Sequence, residues 1–197
     1  MTRSFVRIAA YASIAAAVLA LAALIGFFVV VGSDKIADAA QSASFYGPAT
    51  AALLSIGLLG LGLVGLFLHQ AARLGTLGVV GFALALFGTI VAAGGLWTYV
   101  FVVPHFAART PDLINEGSGS VLAGFVLSFA AMAVGWVVFA LATIRARVFP
   151  RWAAYLLLAG AAITLFPLPS RTLVLALAVA ILSARTLRTP GADAATT

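Results

Sequence analysis

The sequence predicts an all-α integral membrane protein, a compact bundle of about six transmembrane helices with both termini in the cytoplasm. Three observations support this fold class. Of the 197 residues, 64% are hydrophobic and only 8% are charged, whereas soluble domains carry about 25% charged residues. The apolar residues fall in runs long enough to cross ~30 Å of hydrocarbon. The charges lie in the short segments between these runs, and arginine is concentrated in alternate segments.

Six apolar spans are predicted, and most of their boundaries have a local cause. The first span follows Arg3 and Arg7 and is too long for the core of a signal peptide, about 7–15 residues, so we interpret it as a retained helix. Pro48 suits the first turn of the second span. Pro104 ends the third span, and Pro150 separates the fourth from the fifth. Within a single domain, 1–188, the spans are 8–31, 49–68, 77–103, 121–144, 152–167 and 172–186.

The last two spans are interpreted as a helical hairpin. The segment 152–186 is too long for one helix, and Pro167, Pro169 and Arg171 at its centre would interrupt a continuous span. Each arm has about 15–16 residues, or ~24 Å, which is less than the usual hydrocarbon thickness. The pair therefore either thins the bilayer locally or is partly re-entrant. Residues 189–197 have no apolar surface to bury and are predicted to be disordered.

The distribution of charge predicts the orientation. With six spans and a cytoplasmic N-terminus, most of the 11 basic residues lie inside, and three lie outside: Lys35, Arg109 and Arg171. Four of the five acidic residues lie outside: Asp34, Asp38, Asp112 and Glu116. A five-span alternative would move Arg185 and Arg188 outside and weaken this bias. The positive-inside rule therefore favours six spans, in a bacterial-type inner membrane.

Composition and charge exclude several classes of function. The basic residues are spread over the loops and form no patch of the kind that binds nucleic acid. No charged residue falls in the hydrocarbon part of a predicted span, so ion-coupled transport has no residues for a proton or sodium site. His69 and His105 are predicted on opposite sides of the membrane and cannot share a haem. The absence of cysteine removes thiolate chemistry. We expect no cofactor and no enzymatic activity.

Two stripes of small residues predict a helix contact. In the third span, small residues recur at spacings of three and four, which places them on one face: Gly78, Gly81, Ala85, Gly88, Ala92 and Gly95. The fourth span has a similar stripe: Gly124, Ser128, Ala131 and Gly135. Because small residues let helix backbones approach closely in lipid, we expect the two stripes to face each other. The alternative is that small residues are so common here that each helix shows a stripe by chance.

The other small and polar residues of the spans indicate no site. The glycines of the second span are distributed around its helix and mark no single face: Gly57, Gly60, Gly62 and Gly65. The hydroxyl groups within the spans can bond the carbonyl four residues back in their own helix. These include Thr89, Thr98 and Ser128.

The two outer loops are the most polar segments and are predicted to contain short helices. In the loop 33–45 we expect an interfacial helix that turns Ile36, Ala40 and Phe45 toward lipid. In the loop 104–120 we expect a helix that begins near Asp112.

One combination of residues in the second outer loop could bind a cation. Asp112 and Glu116 are spaced four apart and would share one helix face. With a neutral His105 they are the candidate ligands of zinc or a similar divalent ion. The alternative is that these side chains only keep the loop solvated.

For function, the sequence favours a non-catalytic, multi-pass membrane protein that acts as a partner- or lipid-binding subunit of an inner-membrane assembly. Its partners would be the lipid bilayer and another membrane subunit or a second copy. The alternative is an uncoupled transporter or channel subunit for a small or apolar substrate. A lateral polar cavity that contains Thr89, Thr98 and Ser128 would favour transport, and close-packed helices with an exposed apolar groove would favour binding.

Overall fold

The computed structural model describes residues 2–30, 32, 35–116, 119–166 and 171–188, and in these residues all regular structure is helical. The helices are α1 (Thr2–Val30), α2 (Ile36–Ala40), a 3-10 turn (Ala43–Phe45), α3 (Tyr46–Phe101), α4 (Val103–Ala107), α5 (Pro111–Glu116), α6 (Gly119–Ala146), α7 (Arg151–Ile163) and α8 (Arg171–Arg188). The predicted disordered tail, 189–197, lies outside the described residues, as does the predicted hairpin tip at 167–170.

The long helix α3 is a hairpin of two antiparallel arms that meet at Gly75. Gly75 has φ 58° and ψ −167°, a backbone conformation that glycine adopts at little cost. The rings of Phe67 and Phe82 stack with their centroids 4.1 Å apart, whereas a straight helix would separate these residues by ~22 Å. Residues 46–74 form the first arm and residues 76–101 the second arm.

Three helical segments are long and apolar enough to cross a membrane: Ser4–Val30, Ala43–Phe101 and Leu122–Ala146. The second of these contains both arms of the α3 hairpin. Two shorter apolar helices follow, Arg151–Ile163 and Thr172–Leu187. Large apolar side chains such as Phe28 and Leu127 are exposed on the outer faces. These lengths and surfaces are those of a helical membrane protein.

The helices pack as neighbouring pairs around an aromatic centre. α1 lies against the first arm of α3 and against α8, the second arm of α3 pairs with α6, and α7 packs between α6 and α8. Trp136 and Phe139 of α6 are fully buried together with Leu59 and Leu63 of α3. This core joins the α3 hairpin to the C-terminal helices.

One end of the bundle is basic. The ring of His69 lies 5.5 Å from the ring of Phe149, and the Arg185 guanidinium lies 4.9 Å from the ring of Trp152. The start of α1 packs beside Gly65 at the same end. Six arginines whose side chains the structure describes therefore lie here, at what we call the basic end: Arg7, Arg73, Arg145, Arg147, Arg151 and Arg185.

The opposite end is closed by the short helices and the 3-10 turn. The ring of Phe45 is fully buried between Phe27 and Tyr99, with centroid separations of 6.0 and 6.2 Å. The prediction that Ala40 and Phe45 face lipid is therefore wrong, because the 3-10 turn directs this segment back onto the bundle. Ile36 remains exposed.

The acidic side chains that the structure describes are all at this opposite end, which we call the acidic end: Asp38, Asp112 and Glu116. The two outer segments also bond to each other there. The amide of Ala37 donates to Oδ1 of Asn115 at 3.1 Å, and Nε2 of Gln41 donates to the carbonyl of Ala107 at 3.3 Å. The segments form one cap over the helices.

Candidate functional site

The second arm of α3 and α6 pack backbone to backbone. A Cβ added to Gly81 would lie 2.7 Å from the amide nitrogen of Phe139. A Cβ on Gly88 would overlap the backbone of Met132, and a Cβ on Gly135 would overlap that of Ala85. Each contact requires the neighbouring helix to move if the glycine is replaced. The structure thus brings glycines of both predicted stripes to one interface.

The remaining stripe residues have other positions. Gly78 faces the side chain of Leu74 across the turn of its own hairpin. A Cβ added to Gly95 would lie 3.6 Å from the ring of Phe125. Ala92 is fully buried and Ala131 half-buried. The end of the α6 stripe does not join the interface: Gly124 is exposed with nothing within 4 Å of its added Cβ, and Ser128 is half-buried. At this level the second arm of α3 meets α6 through the side chain of Phe125 and not through the backbone.

A second close contact, between α1 and the first arm of α3, is absent from the sequence prediction. Gly62 faces Ser13 and Val179, and Gly65 faces Ala9. The signal lies in α1, where five small residues recur at spacings of four and three and are all buried: Ala9, Ser13, Ala16, Ala20 and Ala23. Gly62 and Gly65 therefore face α1, whereas Gly57 is exposed and a Cβ on Gly60 would lie 3.7 Å from the side chain of Thr89. The four glycines thus mark no single face, as the sequence predicts.

The hydroxyl groups that would mark a polar passage are bonded within their own helices. Thr89 Oγ1 donates to the carbonyl of Ala85 at 2.6 Å and accepts from Trp136 Nε1 at 2.9 Å. Thr98 and Ser128 also donate to carbonyls of their own helices, at 2.6 and 2.7 Å. These three hydroxyls share no polar cavity, so the geometry expected for a transporter is not formed by them.

An apolar groove lies between the two arms of α3. Its volume is about 220 Å³, and it is lined by residues 56–64 of the first arm and 86–93 of the second. Leu61 and Ile90 on its rims are exposed, so the groove opens toward lipid. Gly57 has nothing within 4 Å of its added Cβ, so the absence of a side chain at this position deepens the groove. An exposed apolar groove is the feature that favours partner binding over transport.

A polar cavity of about 310 Å³ lies at the basic end, and we call it the basic cavity. Its lining residues come from the turn of the α3 hairpin and from the segment after α6: His69, Gln70, Ala72, Arg73, Arg147 and Val148. Burial lowers the pKa of the His69 imidazole below its ordinary value, because desolvation disfavours the charged form. Positive charge in the cavity therefore comes from Arg73 and Arg147.

Gln70, in the wall of this cavity, has an acceptor atom that the fold does not satisfy. Its Nε2 donates to Thr143 Oγ1 at 3.0 Å, and the Thr143 hydroxyl donates to the carbonyl of Phe139 at 3.0 Å. Because that hydroxyl has one hydrogen, the amide nitrogen of Gln70 must be the donor to Thr143. Gln70 Oε1 is then buried without a partner, the single such side-chain atom found in the described residues.

The candidate metal ligands do not form a site. In the described residues no three His, Asp or Glu side chains could hold one ion. His105 instead contacts Arg109, whose Nη1 lies 2.6 Å from Nε2 of the ring, so a cation already occupies that side of the imidazole. Asp112 and Glu116 are exposed on α5. The polar contact that the described residues give His105 is thus with Arg109, four residues along the chain.

Comparison with known proteins provides no further assignment. No family model, curated protein or solved structure matches this chain.

Proposed function

We propose that this chain is a non-catalytic, multi-pass protein of a bacterial inner membrane, with six spans and both termini in the cytoplasm. In this proposal it acts as a lipid- or partner-binding subunit of a membrane assembly. The observation that carries the binding function is the apolar groove between the arms of α3.

The clustering of arginines supports the orientation. The basic end holds six described arginines, and the described acidic residues lie at the other end. The positive-inside rule then assigns the basic end to the cytoplasm. The short helices α7 and α8 supply the fifth and sixth spans, and they pack so closely that a Cβ on Gly160 would lie 2.8 Å from the Leu175 backbone. Their 13 and 18 residues extend ~20 and ~27 Å.

The volume of the groove limits what can bind in it. Residues 56–64 rise ~12 Å along the helix axis, and a helix is 10–12 Å wide with its side chains. A partner helix of that length would fill on the order of 1,000 Å³, several times the groove volume of about 220 Å³. The groove therefore takes a lipid acyl chain, or the side chains that a partner helix projects into it.

A photo-crosslinking residue at Leu61, on the rim of the groove, tests the proposal. The control position is Leu127 of α6, which is exposed but outside the groove. We expect crosslinking in native membranes to give a defined lipid or subunit adduct from position 61 and only diffuse bilayer labelling from position 127.

Filling the groove provides the second part of the test. Gly57→Leu places a side chain in open space in the groove, and Gly124→Leu places one in open space elsewhere. We expect the first change, and not the second, to remove the adduct formed at position 61. Equal labelling at both positions, or an adduct that survives Gly57→Leu, would contradict the proposal.

A further inference from the structure

We propose that the basic cavity binds a phosphate group that carries a neighbouring hydrogen-bond donor. The phosphate comes either from the headgroup of an anionic phospholipid or from a soluble phosphate compound. This site lies at the basic end, apart from the groove, and it does not depend on what the groove binds.

The charge of the cavity matches a phosphate. Arg73 and Arg147 both line it, and each guanidinium offers planar N–H donors that fit phosphate oxygens. No acidic residue of the described chain lies at this end, since Asp38, Asp112 and Glu116 are all at the acidic end. Within the described residues the two positive charges therefore have no carboxylate to neutralise them.

The backbone at Arg147 supports a role for its side chain. Arg147 has φ 52°, the single positive φ among the described non-glycine residues. It directly follows α6, at a position where helices commonly place glycine, because the left-handed conformation is unfavourable for a residue with a side chain. Arginine at this position lowers the stability of the fold relative to glycine, but it supplies a positive charge to the cavity.

Gln70 adds a requirement on the ligand. Its Oε1 is a buried acceptor without a partner, and a fully ionised phosphate has no hydrogen to donate to it. The fitting ligand therefore has a hydroxyl or ammonium group beside the phosphate. The glycerol headgroup of phosphatidylglycerol has this combination and a net negative charge.

The cavity lies at the depth of lipid headgroups. Trp152, at the start of α7, is exposed at the basic end and stacks with Arg185. Tryptophan favours the interface between hydrocarbon and water, and basic pockets between helices on the cytoplasmic side are typical sites for anionic headgroups.

The test measures binding to the purified full chain in detergent. The lipid probe is phosphatidylglycerol, with phosphatidylcholine as the neutral control, and the soluble probes are inorganic phosphate and glycerol 3-phosphate. The cavity variant is Arg73→Gln/Arg147→Gln, and its matched control is Arg145→Gln/Arg151→Gln, which removes two charges from the same end outside the cavity lining. Arg73→Gln alone, on an exposed helical position, provides a second variant if the double variant does not fold.

We expect the cavity variant to raise the dissociation constant of the bound probe about thirtyfold, as the loss of two basic contacts at a lipid surface implies. The control should change it less than threefold. Binding of phosphatidylglycerol without the soluble probes would assign the phosphate to lipid, and tight binding of glycerol 3-phosphate would assign it to a soluble compound.

Two results would overturn the proposal. One is the absence of binding by any probe, with water alone satisfying Gln70. The other is an equal loss of affinity in the cavity and control variants, since that would show general attraction to the basic end. Neither result bears on the groove, because Gly57→Leu and the crosslinker at Leu61 leave the basic cavity unchanged.

Discussion

Single glycines set the distance between the helices of this protein. Gly81, Gly88 and Gly135 leave no room for a Cβ against the facing backbone, and in lipid such close contacts replace the hydrophobic drive that packs soluble helices. The spacing in the sequence predicts this face of the second arm. The spacing does not predict that Gly124 lies outside the contact, because the side chain of Phe125 and not a small residue faces Gly95.

Gly88→Leu should separate the second arm of α3 from α6. Overpacking costs typically 1–3 kcal/mol, and the obstacle here is the backbone of Met132, which has no alternative rotamer. Thermal unfolding in detergent measures the effect. The matched control, Gly94→Leu, enters open space on the same arm and should stay near the wild-type melting temperature. If both variants unfold at the same temperature, the interface is not in close contact.

The Gln70–Thr143 pair should respond asymmetrically to substitution. Thr143→Val removes the acceptor for Nε2 and leaves both polar atoms of Gln70 buried without partners, at a cost of about 1–3 kcal/mol. Gln70→Met removes the amide altogether, so it should cost less than Thr143→Val. Equilibrium unfolding in detergent without added lipid compares them. A larger loss from Gln70→Met would mean that Gln70 Oε1 has a partner after all.

Among the elements, the α3 hairpin shows what hydropathy can and cannot predict. The spans 49–68 and 77–103 are assigned from apolar runs, and they fall on the two arms. The first arm nevertheless continues as helix to residue 74, past His69 and Gln70. A hydropathy profile ends a span where polar residues begin, whereas a helix continues for as long as its backbone hydrogen bonds are formed. The reversal therefore occupies one residue, Gly75.

Replacement of Gly75 should destabilise the hairpin through its backbone. Nothing lies within 4 Å of the added Cβ, so Gly75→Ala introduces no clash. Its φ of 58° with ψ −167° is nevertheless close to a region almost restricted to glycine, and a residue held there costs about 1–3 kcal/mol.

The matched control is Gly57→Ala, which lies in open space within a helix and should be neutral or stabilising by up to about 1 kcal/mol. Urea or SDS unfolding of the two variants provides the comparison. A Gly75→Ala protein as stable as the control would show that the turn does not need glycine.

The groove and the basic cavity are harder to predict from the sequence than the helices are. The groove needs both arms of α3 in register, and the basic cavity joins Arg73 to Arg147, which are far apart in the chain. A pattern in one segment cannot indicate such a juxtaposition. The same limit applies to the candidate metal ligands, since the spacing of Asp112 and Glu116 says nothing about the Arg109 contact with His105.

The location of the proposed sites in the membrane depends on two properties of the whole bundle: which end faces the cytoplasm, and how many times the chain crosses the bilayer. The fold places the described arginines mostly at one end of the bundle and the described acidic residues at the other. The positive-inside rule predicts that the arginine-rich end faces the cytoplasm. The location of the basic cavity at the inner headgroups depends on that orientation, whereas the groove requires only that the arms of α3 lie at hydrocarbon depth.

Cysteine accessibility can determine both properties, because the sequence contains no cysteine and each introduced thiol is the single reactive site. Single variants Asp38→Cys, Phe166→Cys, Arg73→Cys and Arg185→Cys are treated with a membrane-impermeant maleimide in intact spheroplasts and after lysis. Six spans predict labelling of positions 38 and 166 in intact spheroplasts, and labelling of positions 73 and 185 only after lysis. Labelling of position 185 in intact spheroplasts would contradict the orientation, and protection of position 166 there would show that α7 and α8 do not cross the membrane.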